Sequence, residues 1–578
     1  MLMISTLCAI SITYADVNIE QILPDNSIAV ISVNDVSVLA DHLQKTGLCD
    51  SICEMGQDFS EHIPEKACPL GSSECAAIIE SLELDETKFK FPTGSAGAGI
   101  YPVLDHESGT VGIGLIAMMQ VEGTPYADLF DKITSNFEDN LEVVDLSGRE
   151  VLLLTGYMPT NLPNTGPFDL SSFSQVYLAN TDGYLIIGSE PDCIARAFSA
   201  IDGEPEANSL SNEKVFTSLM EQCGGDGDIH AAVLLENFAD VIVQLDPTGQ
   251  SMMFLPMLKS FFGDIDGLAE SVTFAPSDDV MLKGKYALYM ADGRSGLLGL
   301  IGENTSENQV PIFVGDDILS YSQTNIDFSK VSQLVKEILT SNPMLAYQFG
   351  PQGFEQMEQS VQLAVAPLGS ELHFLSTGRL PFSDDSLGYL VAVECTDEEQ
   401  LSNFLNTTLP MMGSTSSDFL GNQIYTIDMS GSMMMPLPIE MSMSIAVGGG
   451  YAFCGLTHSV EDALRAVANP KENSRTNRKN SACQLLKNND ISGWGYGDMK
   501  KSIDIQQVVS EKMQEKFLEE IEAFDPEMAS EMRAEFAQSQ TMQNMFLESL
   551  SMFLGPMAWN MSTSETGFTS EVIMMKGK

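Results

Sequence analysis

Basic residues are scarce in this 578-residue sequence, where 28 Lys and Arg stand against 81 Asp and Glu and the formal net charge is −53. Nucleic acids and anionic membrane surfaces attract proteins through clusters of Lys and Arg, so this chain would be repelled by both. We therefore expect no nucleic-acid partner. Most of the acidic side chains are expected to serve solubility.

Long hydrophobic runs and catalytic motifs are also lacking. Beyond the N-terminal residues no stretch reaches the roughly 18 apolar residues of a membrane span, so no transmembrane segment is predicted. The patterns GxSxG, GxxxxGK, HExxH and a GxGxxG after a strand are missing, so the sequence predicts no catalytic residue and no cofactor. The histidines are scattered singly and give no metal-ligand spacing. They are His42, His62, His106, His230, His373 and His458.

The first fifteen residues, MLMISTLCAISITYA, form a short apolar run with Thr13 and Ala15 at the positions that a signal peptidase reads. We expect residues 1–15 to be a signal peptide. The expected location is periplasmic or extracellular.

Export permits disulfide bonds, and four cysteines lie close together in the sequence. Cys49 and Cys53 are one helical turn apart, and Cys68 and Cys75 are two turns apart. Folded back as a helical hairpin, they would pair Cys49 with Cys75 and Cys53 with Cys68. Sequential pairing and a four-thiolate zinc site are the alternatives, although the spacing lacks the CxxC pairs of zinc ribbons.

One segment occurs twice in the chain. Residues 173–201, FSQVYLANTDGYLIIGSEPDCIARAFSAI, have a second version at residues 441–467, MSMSIAVGGGYAFCGLTHSVEDALRAV. Gly183 and Tyr184 correspond to Gly450 and Tyr451. Each copy predicts a strand, a tight turn, a second strand and a helix.

The repeat indicates an α+β protein with two tandem, similar halves, each a mainly antiparallel sheet packed with helices. We assign residues 16–302 to the first half and residues 303–578 to the second. The second half is predicted to have longer C-terminal helices, because residues 503–524 carry an apolar stripe at helical spacing.

Three stretches are similar to an uncharacterised family of exported bacterial proteins, a domain of unknown function. They are LPDNSIAVISVNDVSVLADHLQKTGL, ESLELDETKFKFPTGSAGAGIYPV and GYLIIGSEPDCIARAFSA. The resemblance implies export and a tandemly duplicated α+β fold. It provides no catalytic residues.

The loop after the repeated unit differs in charge between the halves. It is acidic in the first half and basic in the second, and we predict that the basic loop binds an anionic partner. The acidic and basic loops would dock half to half or between two copies of the chain, or the basic loop would bind an anionic envelope polymer. The alternative is a solvated loop with no partner. The acidic residues are Asp202, Glu204, Glu206 and Glu213, and the basic residues are Lys471, Arg475, Arg478 and Lys479.

Two weak metal signals accompany this pattern. Asp226 with Asp228, and Asp264 with Asp266, resemble fragments of calcium loops, and the methionine-rich residues 428–443 would suit a soft metal. Chance adjacency explains the first and packing explains the second more simply, so no metal site is predicted. The sequence favours an exported non-enzymatic binding or structural protein. A carrier of an apolar ligand or soft metal is the alternative, and an enzyme is the third reading.

Overall fold

The fold is known from a computed structural model, and it is α+β. The structure describes residues 17–46, 94–104, 111–121, 141–155, 175–246, 249, 251–303, 310–341, 343–381, 383, 386–428, 442–470, 482–486, 490–524 and 553–577, with short groups between 526 and 547.

Strands β1–β10 and helices α1–α6 belong to the first half. The strands are Ala29–Val33, Ala96–Leu104, Val111–Gln120, Leu141–Leu146, Arg149–Thr155, Gln175–Thr181, Tyr184–Gly188, Ile229–Leu234, Gly267–Ser277 and Val280–Tyr289. The helices are Ile19–Ile22, Val36–Thr46, Pro191–Ile201, Lys214–Cys223, Leu235–Leu245 and Ser251–Phe262.

Strands β11–β20 and helices α7–α11 belong to the second half. The strands are Ile318–Asn325, Leu368–Gly378, Leu387–Cys395, Thr415–Phe419, Asn422–Asp428, Ser442–Gly448, Tyr451–Leu456, Gly493–Asp498, Leu554–Ser564 and Gly567–Lys576. The helices are Val331–Ser341, Pro343–Val365, Glu398–Thr408, Thr457–Ala468 and Met499–Phe524.

All of these strands join one antiparallel sheet, which has 20 strands within the described residues. From one edge to the centre the order is β4-β5-β6-β7-β3-β2-β1-β8-β9-β10. From the other edge it is β14-β15-β16-β17-β13-β12-β11-β18-β19-β20. Strands β10 and β20 pair at the centre, so the sheets of the two halves are continuous.

The repeated segment folds as its sequence predicts. In the first half β6, a two-residue turn, β7 and α3 follow one another, and in the second half β16, a turn, β17 and α10 do the same. The turn residues Asp182 and Gly183 have φ angles of 49° and 83°, and Gly449 and Gly450 have 65° and 85°. Two consecutive positive φ angles define the turn that matches strand twist, which is why Asp and Gly occupy it.

One face of the sheet, here called the helix face, carries the main apolar cores. In the first half Ile116 and Ile186 pack with Ile194 and Phe198 of α3. In the second half Tyr321 and Phe453 pack with Val460 and Leu464 of α10. Successive side chains of a strand point to opposite faces, so the other set of side chains forms a second surface.

The helix that follows the eighth strand differs in length between the two halves. Helix α11 has 26 residues, whereas α5, which follows β8 in the first half, has 11. Within the described part of the chain, no helix combines the length and apolar character that a membrane crossing needs.

Candidate functional site

The face of the sheet opposite the helix face is apolar, and we call it the open face. Near its two ends it is covered by packing, as where Leu401 and Leu405 of α9 meet Tyr425 and Val447. In the middle it is accessible to solvent. The exposed fractions there are 47% for Ile31, 40% for Leu268, 36% for Tyr286, 47% for Phe374 and 52% for Tyr389.

A concave part of the open face, here called the central trough, lies where the two halves join. It spans β8, β9, β10, β20 and β19 and has a volume of about 350 Å³. At about 4.8 Å between neighbouring strands, its five strands extend over roughly 19 Å. Its side chains are Ala231, Val233, Leu268, Glu270, Tyr286, Leu288, Met561, Phe568 and Ser570.

Strand register arranges the trough in two rows. One row contains Glu270, Tyr286 and Ser570, which lie directly opposite one another on β9, β10 and β20. The adjacent row contains Leu268, Leu288 and Phe568 on the same strands, so a polar row borders an apolar row. An amphiphilic molecule lying on the sheet would find a hydrogen-bonding side and an apolar side.

Tyr286 shapes the floor of the trough. A Cβ atom added to Gly284 would lie 3.0 Å from the Tyr286 ring, so the ring extends along its own strand over that glycine. Burial raises the pKa of the Tyr286 phenol, and the nearby Glu270 carboxylate raises it further. The phenol is therefore neutral at neutral pH and can donate or accept one hydrogen bond.

A larger cleft of about 1000 Å³ lies between α7, α8 and the end of the β11–β12 pair. Its walls mix polar and apolar groups and contain the ion pairs Lys330–Asp327, at 3.4 Å, and Lys336–Glu358, at 3.9 Å. Exposed ion pairs of this kind are ordinary features of a solvated surface. The trough is the better candidate because apolar walls in a concavity are what ligand sites share.

Several predicted features lie in segments that cannot be compared with the structure. The predicted signal peptide, residues 1–15, lies outside the described residues, as does nearly all of the methionine-rich segment. The same is true of the candidate disulfide cysteines Cys49, Cys53, Cys68 and Cys75, and of the basic loop residues Lys471, Arg475, Arg478 and Lys479.

Four of the described cysteines, Cys193, Cys223, Cys395 and Cys454, are free thiols. Burial raises the pKa of Cys193 and of Cys223 to about 11. Burial also raises the pKa values of Cys395 and Cys454, the two cysteines in strands of the second half. A thiol with a raised pKa is a poor nucleophile, so these side chains act as small apolar core residues.

The acidic loop of the first half has partners within that half. Asp202 pairs with Arg149 at 2.6 Å, and Glu206 pairs with Arg196. Glu213 accepts a hydrogen bond from the backbone N–H of Phe216 and so caps α4. Three of the four carboxylates thus have partners within the first half, and the docking of this loop onto the basic loop stays a prediction.

The acidic pairs that resemble calcium loops also serve the fold. Asp228 accepts hydrogen bonds from Phe274 N and His42 Nδ1, each within 3.0 Å. Asp264 pairs with Lys259 at 2.7 Å, and Asp266 accepts from the backbone N–H of Ala291. Among the described residues, no three His, Cys, Asp or Glu side chains are grouped so that they could hold a metal ion.

His230 on β8 is 4% exposed and lies against Asn34. Burial lowers its pKa, while Glu20, the Gly227 carbonyl, Asp226 and Asp228 act in the opposite direction. The unfolded chain therefore binds a proton on this histidine at a higher pH than the folded chain does. The stabilisation that comes from keeping His230 neutral is fully present above the unfolded pKa of about 6.5. It is lost as the pH falls from that value toward the folded pKa.

We accordingly expect His230→Phe to make unfolding less dependent on pH. The measurement is the urea midpoint of both proteins at about pH 7.5 and about pH 5, where the variant should lose less stability on acidification than the parent. Equal losses in the two proteins would contradict this assignment.

No protein family, curated protein or solved structure matches this chain. The trough and the pairing of its strands must therefore support any functional proposal by themselves.

Sequence reasoning missed the trough because its residues come from strands far apart in the chain. The alternation of apolar residues in β9 and β10 was visible in the sequence, and it predicted strands. It could not indicate that the apolar row of β10 would continue into Phe568 of β20.

Proposed function

We propose that the protein is an exported, non-enzymatic binding protein that holds an apolar or amphiphilic molecule in the central trough. The observation that carries this proposal is the concave apolar row of Leu268, Leu288 and Phe568, of which Leu268 is exposed, beside the exposed Tyr286. Burying such side chains against a ligand is favourable by roughly 25 cal/mol per Å² of apolar area. The sequence-based alternative is a carrier that holds its ligand between the sheet and the helices. The trough lies on the open face instead, so it favours ligand binding on the side of the sheet away from the main helices.

We also propose that the two halves, residues 16–302 and residues 303–578, arose by tandem duplication. The support is that both halves follow the same strand order from the edge of the sheet to β10 and β20. A duplicated sheet joined through its last strands would create a concave surface at the junction. The resemblance to exported bacterial proteins of unknown function, the anionic partner of the basic loop and the soft-metal alternative stay predictions.

The binding proposal predicts that Tyr286→Ser weakens the binding of a neutral apolar dye such as N-phenyl-1-naphthylamine about tenfold, since part of the floor of the trough is lost. The measurement is a fluorescence titration, with the dye brightening as it leaves water. The parent protein is expected to bind with a stoichiometry near one.

Tyr389→Ser is the matched control. Tyr389 is an exposed tyrosine of the same face, but it lies on β13, six strands and roughly 29 Å from β10. Its replacement should leave the dye affinity within about twofold. The trough is ruled out as the binding site if the parent protein does not increase the dye fluorescence, or if both variants lose the same amount of dye affinity.

A further inference from the structure

A cavity on the helix face of the first half is here called the first-half pocket. It has a volume of about 520 Å³, within the range of small-molecule sites, and it lies between α1, α4 and the strands β1, β2, β3 and β8. Its wall is mainly apolar, and the apolar side chains that line it include Ile19, Met118, Phe216 and Met220. Such a wall suits the apolar body of a ligand, because burying apolar surface is favourable.

The charges of the pocket wall are all negative. The charged side chains that line it are Glu20 of α1 and Glu221 of α4, and no lysine or arginine lies among the described residues of the wall. The ion pairs that the structure describes in the first half involve neither carboxylate. The pocket therefore offers negative charge that no side chain of the described protein neutralises.

Glu20 lies close enough to the pocket wall to act on a charge there. Burial lowers the pKa of His230, which also lines the pocket, and Glu20 is the strongest of the groups that act in the opposite direction. A carboxylate that favours a positive charge on this imidazole also favours a positive charge on a ligand in the same cavity. Because the pKa of His230 is lowered, its ring is neutral at neutral pH and leaves the Glu20 charge in place.

The field of the whole protein acts in the same direction. A formal net charge of −53 attracts cations and repels anions, and the effect is strongest in concave places. This field draws every cation toward the surface, so it gives no selectivity by itself. Selectivity in the first-half pocket would come from the apolar wall together with the nearby carboxylate.

We propose that the first-half pocket binds a compact organic cation, whose ammonium group pairs with Glu20 and whose apolar body contacts Met118, Phe216 and Met220. Glu221 is exposed and adds negative charge at the rim. The pocket and the central trough lie on opposite faces of the sheet. The inference therefore goes beyond the proposed function and does not depend on it.

Three adamantanes of the same shape test the proposal on the full-length protein. 1-Adamantanamine is a cation at neutral pH, as lysine is, whereas 1-adamantanol is neutral and adamantane-1-carboxylate is an anion. The readout is the methyl resonance of Met220 in protein labelled with ¹³C-methyl methionine, assigned by its loss in Met220→Leu. We expect the amine to move this resonance and to bind about fivefold more tightly than the alcohol. The carboxylate should leave the resonance unchanged.

The same spectra contain a reporter for the other site, because Met561 lines the central trough. Its methyl resonance is assigned in the same way, with Met561→Leu. A response of Met220 to the amine supports the first-half pocket, whatever becomes of dye binding in the trough. A response of Met561 without a response of Met220 would place the amine in the trough and contradict the proposal.

Glutamine variants separate the carboxylate from the cavity. Glu20→Gln keeps the shape of the side chain and removes its charge, so the affinity for the amine should fall about fivefold, while that for the alcohol stays within about twofold. Glu150→Gln is the matched control. Glu150 is exposed on β5, three strands and roughly 14 Å from β3, the nearest strand of the pocket. That distance exceeds the screening length in physiological salt, so the control should keep the parent affinity.

The proposal is overturned if the amine leaves the Met220 resonance unmoved, or if the alcohol binds as tightly as the amine. It is also overturned if Glu20→Gln and Glu150→Gln lose the same amount of affinity for the amine. That last result would show that the acidic surface as a whole attracts the cation.

Discussion

Replacing Trp494 by alanine is expected to lower the free energy of unfolding by about 3–5 kcal/mol, the range for truncating a large buried aromatic side chain. Trp494 is 2% exposed and lies on β18 in the core of the helix face. Its ring meets Tyr321 edge-on at 5.4 Å and stacks on Tyr496 at 6.0 Å between ring centroids. Alanine would leave a cavity in this aromatic cluster and remove those contacts.

Part of the expected loss comes from Gln323, which is 3% exposed and accepts the indole N–H. Without Trp494 its amide oxygen would be buried and unpartnered, at a cost of about 1–3 kcal/mol. Trp494→Phe separates the two contributions, because phenylalanine keeps most of the ring contacts and removes the N–H donor. We expect its loss to be clearly smaller than that of alanine.

Urea unfolding followed by circular dichroism measures both variants, and Trp559 is then the remaining tryptophan for fluorescence. If alanine costs less than about 1 kcal/mol, the cluster does not stabilise the second half as the packing indicates.

Replacing Arg196 by alanine is expected to cost about 2–3 kcal/mol, because hydrogen bonds from a charged group are worth more than neutral ones. The side chain is 11% exposed and lies on α3. Its Nε donates to Ile22 O at 2.8 Å, its Nη2 donates to Asn208 O at 3.1 Å, and its Nη1 pairs with Glu206. Hydrogen bonds from one guanidinium thus connect α3 to the end of α1 and to the acidic loop.

Arg196→Lys should recover only part of this stability, since an ammonium cannot reproduce the planar fork. Arg465→Ala is the control. Arg465 lies on α10, its side chain is 52% exposed, and it pairs with Glu461 and Asp462 of its own helix. Exposed pairs within a helix are worth about 0.3–0.5 kcal/mol, so this control should change stability little. If Arg196→Ala and Arg465→Ala lose similar amounts of stability, the hydrogen bonds of Arg196 do not stabilise the first half more than an exposed ion pair does.

Local features of the fold could be predicted from the sequence. The turn at Asp182 and Gly183, the helix that starts after Glu190 and the long apolar stripe of α11 depend on neighbouring residues alone. Turn chemistry and helical periodicity act over a few residues, so each copy of the repeated unit specified its strands and helix without help from the rest of the chain.

The sites could not be predicted in the same way. Alternation along β10 places Tyr286 and Leu288 on one face, but it does not say which strand lies beside them. Backbone N–H and C=O groups at a strand edge are the same for every sequence, so partners are chosen by the packing of the whole sheet. The pairing of β10 with β20 created the trough.

Thus the sequence by itself determined the α+β class, the repeated unit and the acidic, poorly basic surface, because composition, periodicity and turn residues are local. Tertiary structure alone decided that the two sheets are continuous and that Leu268 and Phe568 share a trough. These features depend on contacts between residues far apart in the chain, and such contacts are fixed by strand register and burial.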